Sequence, residues 1–125
     1  MTAAAVPFAL AQSSGDAAQS AEAWVRLIDS GKFEDSWTEA STFFRSQVPR
    51  DRWTGMVKGV RAPLGLVKSR TVKNVTTAKS LPGAPDGDYT VIQYQTSFQN
   101  KATAVETLTV MMDGGRWRAA GYFIK

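Results

Sequence analysis

Glu106 is a carboxylate in a stretch whose alternation otherwise predicts an apolar sheet face, "ETLTVMMDGGRWRAAGYFIK" at residues 106–125. A carboxyl group among apolar side chains can act as a general acid or base, anchor a ligand, or be buried as half of an ion pair. Arg61 and Arg70, in "RAPLGLVKSR", each carry a guanidinium group that could bind both of its oxygens. The pattern favours a structural salt bridge among Arg61, Arg70 and Glu106 over ligand contact, and ligand contact over catalysis.

The chain contains no histidine and no cysteine. Thiol catalysis, disulfides and metal sites built from Cys or His are therefore excluded, and the commonest general base near neutral pH is missing. We assign no catalytic residue, no metal site and no cofactor from the sequence. An isomerase-like or hydrolase-like reaction would have to use Glu106 with Tyr94 or a glutamine neighbour.

Three helices are predicted in the first half of the chain. Apolar residues from Ala17 to Ile28 recur at helical spacing, and Gly31 is placed to end that helix. A second short helix is predicted within "KFEDSWTEASTFF", residues 32–44. A third begins after Pro49, carries Trp53, Met56, Val57 and Val60 at helical spacing, and stops at Ala62-Pro63.

The second half of the chain predicts a four-stranded antiparallel meander. Residues 66–78 are rich in Val and Thr, and "SLPGAPDGD" at 80–88 reads as a loop. Three further strands follow, "YTVIQYQTSF", "TAVETLTVMM" and "RWRAAGYFI". Helices followed by strands predict an α+β fold with one domain over residues 16–125.

Two hairpin turns predict which residues face each other in the sheet. A two-residue turn at 114–115 places Met112 opposite Trp117 and Glu106 opposite Phe123. A two-residue turn at 100–101 places Gln95 opposite Glu106. One face then combines polar and apolar side chains that could bind a ligand, namely Tyr89, Gln93, Gln95, Glu106 and Trp117. Both faces are part apolar, so periodicity leaves open which one the helices cover.

Positive charge is concentrated in residues 45–79, which contain nine Lys or Arg and one acidic residue, although the whole chain has a formal net charge of +4. Such a segment could bind an acidic glycan, a lipid headgroup or a nucleic acid, or it could be ordinary solvated surface. No nucleic-acid-binding motif accompanies the charge, so solvated surface is favoured and no nucleic-acid partner is predicted.

The amino-terminal stretch, residues 1–15, is interpreted as the remnant of a signal peptide or as a disordered tail. Ala9-Leu10-Ala11 matches an A-x-A cleavage site before Gln12, although the charged segment that normally opens a signal peptide is missing. No run approaches the roughly 18 apolar residues of a membrane span, so none is predicted. The expected location is periplasmic or secreted.

Four stretches together carry a family resemblance: "AWVRLIDSGKFEDSW", "RAPLGLVKSR", "LPGAPDGDYTVIQYQTSFQNK" and "ETLTVMMDGGRWRAAGYF". In this order they resemble the bacterial domain of unknown function 4019 family, whose members are small exported or lipid-anchored proteins, over about residues 17–124. The resemblance implies helices packed into a curved four-stranded sheet, similar to the cystatin-like and nuclear-transport-factor-2-like folds, with a cone open at one mouth. It implies no activity.

Binding of a small molecule or a partner protein through the mouth of that cone, without catalysis, is the predicted function. Two alternatives belong to other classes. One is the enzyme that would use Glu106, and the other is an assembly module that forms a homodimer through a Thr-rich sheet face.

Overall fold

The computed structural model describes residues 15–125, so the predicted cleavage site at residues 9–11 lies outside the described residues. Within the described range four α-helices, a 3-10 turn and four strands follow one another. They are α1 (Asp16–Asp29), α2 (Phe33–Thr38), α3 (Thr42–Gln47), α4 (Arg50–Arg61), the 3-10 turn Ala62–Leu64, β1 (Val67–Ala78), β2 (Tyr89–Phe98), β3 (Lys101–Asp113) and β4 (Arg116–Ile124). The α+β class is confirmed. No helix among these residues is long and apolar enough to cross a membrane.

The predicted second helix is in fact two helices, so the prediction of three helices is wrong by one. The chain is extended at Ser41, with φ −65° and ψ 157°. The Ser41 side chain caps α3 by accepting a hydrogen bond from the Phe44 backbone N–H, and its own N–H donates to the carbonyl of Ala119 at 2.8 Å. A contact with β4, distant in sequence, therefore interrupts the helical pattern.

The first and last predicted helices are confirmed. Gly31, with φ +74°, ends α1 in the left-handed conformation that glycine adopts without strain. Helix α4 buries Trp53 and Val57, but Met56 and Val60, which follow the same helical spacing, are exposed. The indole N–H groups of Trp24 and Trp53 both donate to buried Ser36, which ties α1, α2 and α4 together.

The strands form one antiparallel sheet in the predicted order β1-β2-β3-β4. Gly114 and Gly115 both have positive φ, as a tight hairpin turn requires, and Met112 lies opposite Trp117 as predicted. One extra residue in β4, at Ala120, then shifts the pairing, so that Glu106 lies opposite Ile124. The predicted pairing of Glu106 with Phe123 is therefore wrong.

The β2–β3 turn lies at Gln99 and Asn100, one residue earlier than predicted. The N–H groups of these two residues donate to the carbonyls of Leu66 and Leu64, so the segment before β1 holds the turn in place. One extra residue in β3, within 102–103, then shifts the register. As a result Glu106 lies opposite Tyr94, and the predicted pairing of Glu106 with Gln95 is wrong.

The helices cover the sheet face that carries Ile92, Tyr94, Leu108 and Val110. Because side chains alternate along a strand, Glu106 lies on this covered face, opposite Tyr94. The same alternation places Tyr89, Gln93 and Gln95 on the other face of β2.

Strand β1 is an edge of the sheet, and residues 71–77 are exposed on both faces. Two β-bulges interrupt its pairing with β2, and the extra residues are Lys68 and Lys73. Bulges and lysines on an edge strand oppose pairing with a further strand.

Candidate functional site: a buried ion-pair network and an aromatic cleft

Glu106 is completely buried, and both of its carboxylate oxygens are saturated with hydrogen bonds. Oε1 accepts from Arg70 Nε at 2.7 Å and from the Thr96 hydroxyl. Oε2 accepts from Arg70 Nη2 at 3.2 Å and from the Tyr122 hydroxyl. A carboxylate offers about four acceptor positions, so these four bonds leave none for a substrate.

Arg70 links Glu106 to a second carboxylate, Asp29, at the end of α1. Its Nη1 and Nη2 donate to Oδ2 and Oδ1 of Asp29 at 2.8 and 2.9 Å. The guanidinium carbon also lies 5.7 Å from the centre of the Tyr94 ring. Burial lowers the pKa of Arg70, but hydrogen bonds and charge from Asp29 and Glu106 outweigh it, so the pKa is raised overall.

Arg61 meets Asp29 rather than Glu106. Its Nη2 donates to Asp29 Oδ1 at 2.9 Å, and its guanidinium carbon lies 4.9 Å from the centre of the Phe98 ring. The residue is 7% exposed, and its Nε and Nη1 have no hydrogen-bond acceptor among the described residues. The face of the Phe98 ring is the electron-rich surface beside these donors. We call Asp29, Arg61, Arg70 and Glu106 the ion-pair network, which joins α1, α4, β1 and β3 with no net charge.

Burial and the charges of the network also shift the pKa of three other groups, namely Asp29, Tyr94 and Tyr122. Burial raises the pKa of Asp29, but the two arginines outweigh it and hold the pKa below the ordinary 3.8. Burial raises the pKa of Tyr94 to about 12. Burial, together with the charge of Glu106 and the hydrogen bond to it, also raises the pKa of Tyr122, so that its hydroxyl stays a donor at neutral pH.

Sequence reasoning missed Asp29, Thr96 and Tyr122 as members of this site. For Asp29 a signal existed, because it extends the stripe of Ala21 and Val25 at four-residue spacing. A carboxylate at a helix C-terminus also opposes the helix dipole and therefore needs cations nearby. Thr96 and Tyr122 had no such signal, because only the bulged register places them beside Glu106.

The five residues predicted to contact a ligand are not brought together. On the face of β2 that the helices leave uncovered, Gln93 Nε2 donates to Thr107 Oγ1 at 3.3 Å and Gln95 Nε2 to the carbonyl of Ala104 at 3.1 Å. The Tyr89 hydroxyl donates to the carbonyl of Pro85. Glu106 and Trp117 are both on the covered side, and Trp117 lines a cleft.

That cleft, here called the tryptophan cleft, has a volume of about 430 Å³ and lies where α1 and α2 meet the start of β4. Trp24, Leu27 and Trp117 form its apolar wall. Charged side chains form its rim, which includes Asp35, Glu39, Arg116 and Arg118. Arg116 and Glu39 form a salt bridge of 3.6 Å across the rim, and a smaller cleft of about 230 Å³ adjoins at Ser20 and Trp117.

A further cleft, of about 440 Å³, lies between the α1–α2 turn and α4. Phe33 is the single large apolar side chain of its lining, and the rest is glycine, polar and charged. The tryptophan cleft is therefore the better match to a ligand pocket, which combines an apolar wall with a few polar groups.

Residues 20–122 match the family model described as "Protein of unknown function (DUF4019)". The chain belongs to the DUF4019 family. No curated protein matches the chain.

In this DUF4019 protein the matched region contains all four residues of the ion-pair network and all eleven residues that line the tryptophan cleft. The match spans α1 from Ser20 and continues into β4 as far as Tyr122. Chemically, the network holds a saturated carboxylate, whereas the tryptophan cleft offers apolar area beside both signs of charge.

Proposed function

We propose that this DUF4019 protein is an exported bacterial binding domain that takes up a small molecule in the tryptophan cleft without chemical turnover. The observation that carries the proposal is the cleft itself, where Trp24 and Trp117 form an apolar wall beneath a charged rim. Its volume of about 430 Å³ falls within the range of about 300–1,000 Å³ typical of ligand sites. This cleft takes the place of the cone mouth expected from the family resemblance.

The buried carboxylate supports binding over catalysis. A general base needs a free lone pair within reach of the proton that it abstracts. All four acceptor positions of Glu106 are used by Arg70, Thr96 and Tyr122, and the side chain is 0% exposed. The network therefore has a structural role: it holds α1 against the sheet, and α1 carries Trp24, which lines the cleft.

Ala23 offers a way to fill the cleft without disturbing the core, because it is exposed on α1 and lines the cleft. The test is ligand-observed NMR of the purified protein against pooled metabolites and fragments. Compounds that bind the unmodified protein are expected to lose binding to Ala23→Trp. Ala18→Trp, at an exposed position of α1 outside the cleft lining, is the matched control and should bind as the unmodified protein does.

Two results would overturn the proposal. One is that no compound of a broad pool binds the unmodified protein, and the other is that bound compounds ignore Ala23→Trp. Turnover of a bound compound, lost in Glu106→Gln but kept in Ala23→Trp, would favour an enzyme instead.

Export is a separate part of the proposal, supported by the apolar run that precedes Ala9-Leu10-Ala11. Expression of the chain with its native amino terminus in a Gram-negative bacterium, followed by fractionation, should recover protein that begins at Gln12 in the periplasm. Protein with an uncleaved N-terminus in the cytoplasm would contradict export while leaving cleft binding intact.

A further inference from the structure

Exposed apolar side chains are concentrated in one part of the molecule. Among the described residues seven large apolar side chains are exposed, and five of them lie between residues 56 and 75. They are Met56, Val60, Leu66, Val72 and Val75. Leu66 is the most exposed, at 72%, and Val72 follows at 59%. The same stretch of chain lies inside the basic segment 45–79.

Many of the basic side chains in that segment lack a carboxylate partner. Arg61 and Arg70 belong to the ion-pair network, and Arg50 and Lys79 pair with Asp51 and Asp88. The other five form no salt bridge with any residue in 15–125, namely Arg45, Arg52, Lys58, Lys68 and Lys73.

Strand β1 combines both features within a few residues. Val72 and Val75 lie opposite Tyr94 and Ile92, so both point to the side of the sheet on which the helices pack, but at this edge strand they are exposed. Lys68 and Lys73 occupy the two bulges of the strand and are exposed. Because bulges and lysines oppose strand addition, this edge is poorly suited to pairing with an extended peptide or with β1 of a second copy.

We propose that β1 docks on the surface of an anionic lipid bilayer. The free lysines are attracted to the negative headgroups, and Val72 and Val75 enter the boundary between headgroups and acyl chains. A nucleic acid or acidic glycan would pair with the lysines but would leave the apolar side chains in water. The interleaved valines therefore favour a bilayer over a soluble polyanion, and this proposal does not depend on the tryptophan cleft.

The test is flotation of the full chain with vesicles of phosphatidylcholine, with and without 30% phosphatidylglycerol. Binding is expected only with phosphatidylglycerol, and it should weaken in high salt. Lys68→Gln/Lys73→Gln should lower the partition coefficient on the order of 30-fold, since each lysine near such a surface contributes about 1 kcal/mol. Val72→Ser/Val75→Ser should lower it by a similar factor.

Matched controls replace exposed lysines and exposed large apolar side chains elsewhere in the chain. Lys32→Gln/Lys125→Gln and Met112→Ser/Phe123→Ser alter exposed side chains outside the basic segment and should bind vesicles as the unmodified chain does. Because all variants are made in the full chain, the difference between test and control variants gives the contribution of β1 to vesicle binding. Absence of binding to phosphatidylglycerol vesicles, or equal losses in the controls, would overturn the proposal. Loss with the lysine pair alone, together with equally strong heparin binding, would replace the bilayer by a soluble polyanion.

Discussion

The guanidinium of Arg70 donates two hydrogen bonds to the carboxylate of Glu106, with Nε 2.7 Å from Oε1 and Nη2 3.2 Å from Oε2. The two residues are 36 positions apart in the chain, and their side chains are 14% and 0% exposed. Removal of one member of a buried pair leaves the other charge without compensation, which costs more than the pair itself contributes. This asymmetry makes the contact a sensitive point for mutation.

Replacement of Glu106 by Gln is expected to lower the free energy of unfolding by about 3 kcal/mol, because Arg70 loses a buried counter-charge. Urea unfolding followed by tryptophan fluorescence measures the change. Glu39→Gln is the control, since that carboxylate is half exposed and its salt bridge is long, at 3.6 Å. If Glu106→Gln lowers the free energy of unfolding by less than about 0.5 kcal/mol, as an ordinary surface substitution does, the network does not stabilise the fold.

Acid should destabilise the protein through Asp29. The pKa of Asp29 in the folded state is below its ordinary value of 3.8, because Arg70 and Arg61 outweigh the effect of burial. Its stabilising contribution is therefore complete above that ordinary value and is lost as the pH falls through the lower, folded-state pKa. Unfolding free energies measured between pH 5 and pH 2 should fall more steeply in the unmodified protein than in Asp29→Asn. Parallel curves for the two proteins would refute the assignment.

Alkali should also unfold the protein, through its tyrosines. The pKa of Tyr94 is raised to about 12 and that of Tyr122 is raised as well, chiefly by burial. A tyrosine whose folded-state pKa is raised contributes stability below the unfolded value of about 10, and this contribution is lost as the pH rises above it. Tyrosinate absorbance should therefore rise together with the loss of near-UV circular dichroism. Tyr122→Phe should weaken the pH dependence, whereas tyrosinate formation near pH 10 in the folded protein would contradict the prediction.

Two glycines should respond in opposite directions to alanine. Gly65 has φ +76°, and a Cβ there would lie 2.7 Å from Gln99 Oε1. Gly65→Ala should therefore lower the free energy of unfolding by about 2 kcal/mol. Gly59 lies inside α4, and a Cβ there meets nothing within 4 Å. Because alanine favours the helix more than glycine does, Gly59→Ala should raise the free energy of unfolding by about 0.5–1 kcal/mol. Thermal unfolding of the two variants measures the difference. A stabilised Gly65→Ala would mean that the turn before β1 does not hold the β2–β3 turn.

Local patterns predict much of this fold because their causes lie within a few residues. Helix α1 and its end at Gly31 follow from apolar spacing and one left-handed glycine. Gly114 and Gly115 supply the positive φ values of a hairpin turn, and the pair Met112 and Trp117 follows from that turn. The family resemblance likewise depends on the order of motifs along the chain, and the match over residues 20–122 confirms it.

The positions of the bulges, in contrast, were decided by tertiary contacts. With the β2–β3 turn at Gln99-Asn100 and no extra residue in β3, Glu106 would lie opposite Gln93, on the face that the helices leave uncovered. The extra residue within 102–103 moves it opposite Tyr94, on the covered face, where Arg70, Thr96 and Tyr122 meet it. One residue is enough because side chains alternate with a period of two.

The sequence by itself determined the α+β class, the strand order, the tight glycine turn and the presence of a carboxylate that needs a partner. Only the tertiary structure decided that the partner is Arg70, that Arg61 serves Asp29 instead, and that Trp117 belongs to a cleft with Trp24 rather than to a site with Gln93 and Gln95. The physical reason is that propensity and turn geometry act over a few residues, whereas ion pairs and bulges depend on which distant groups share the buried volume.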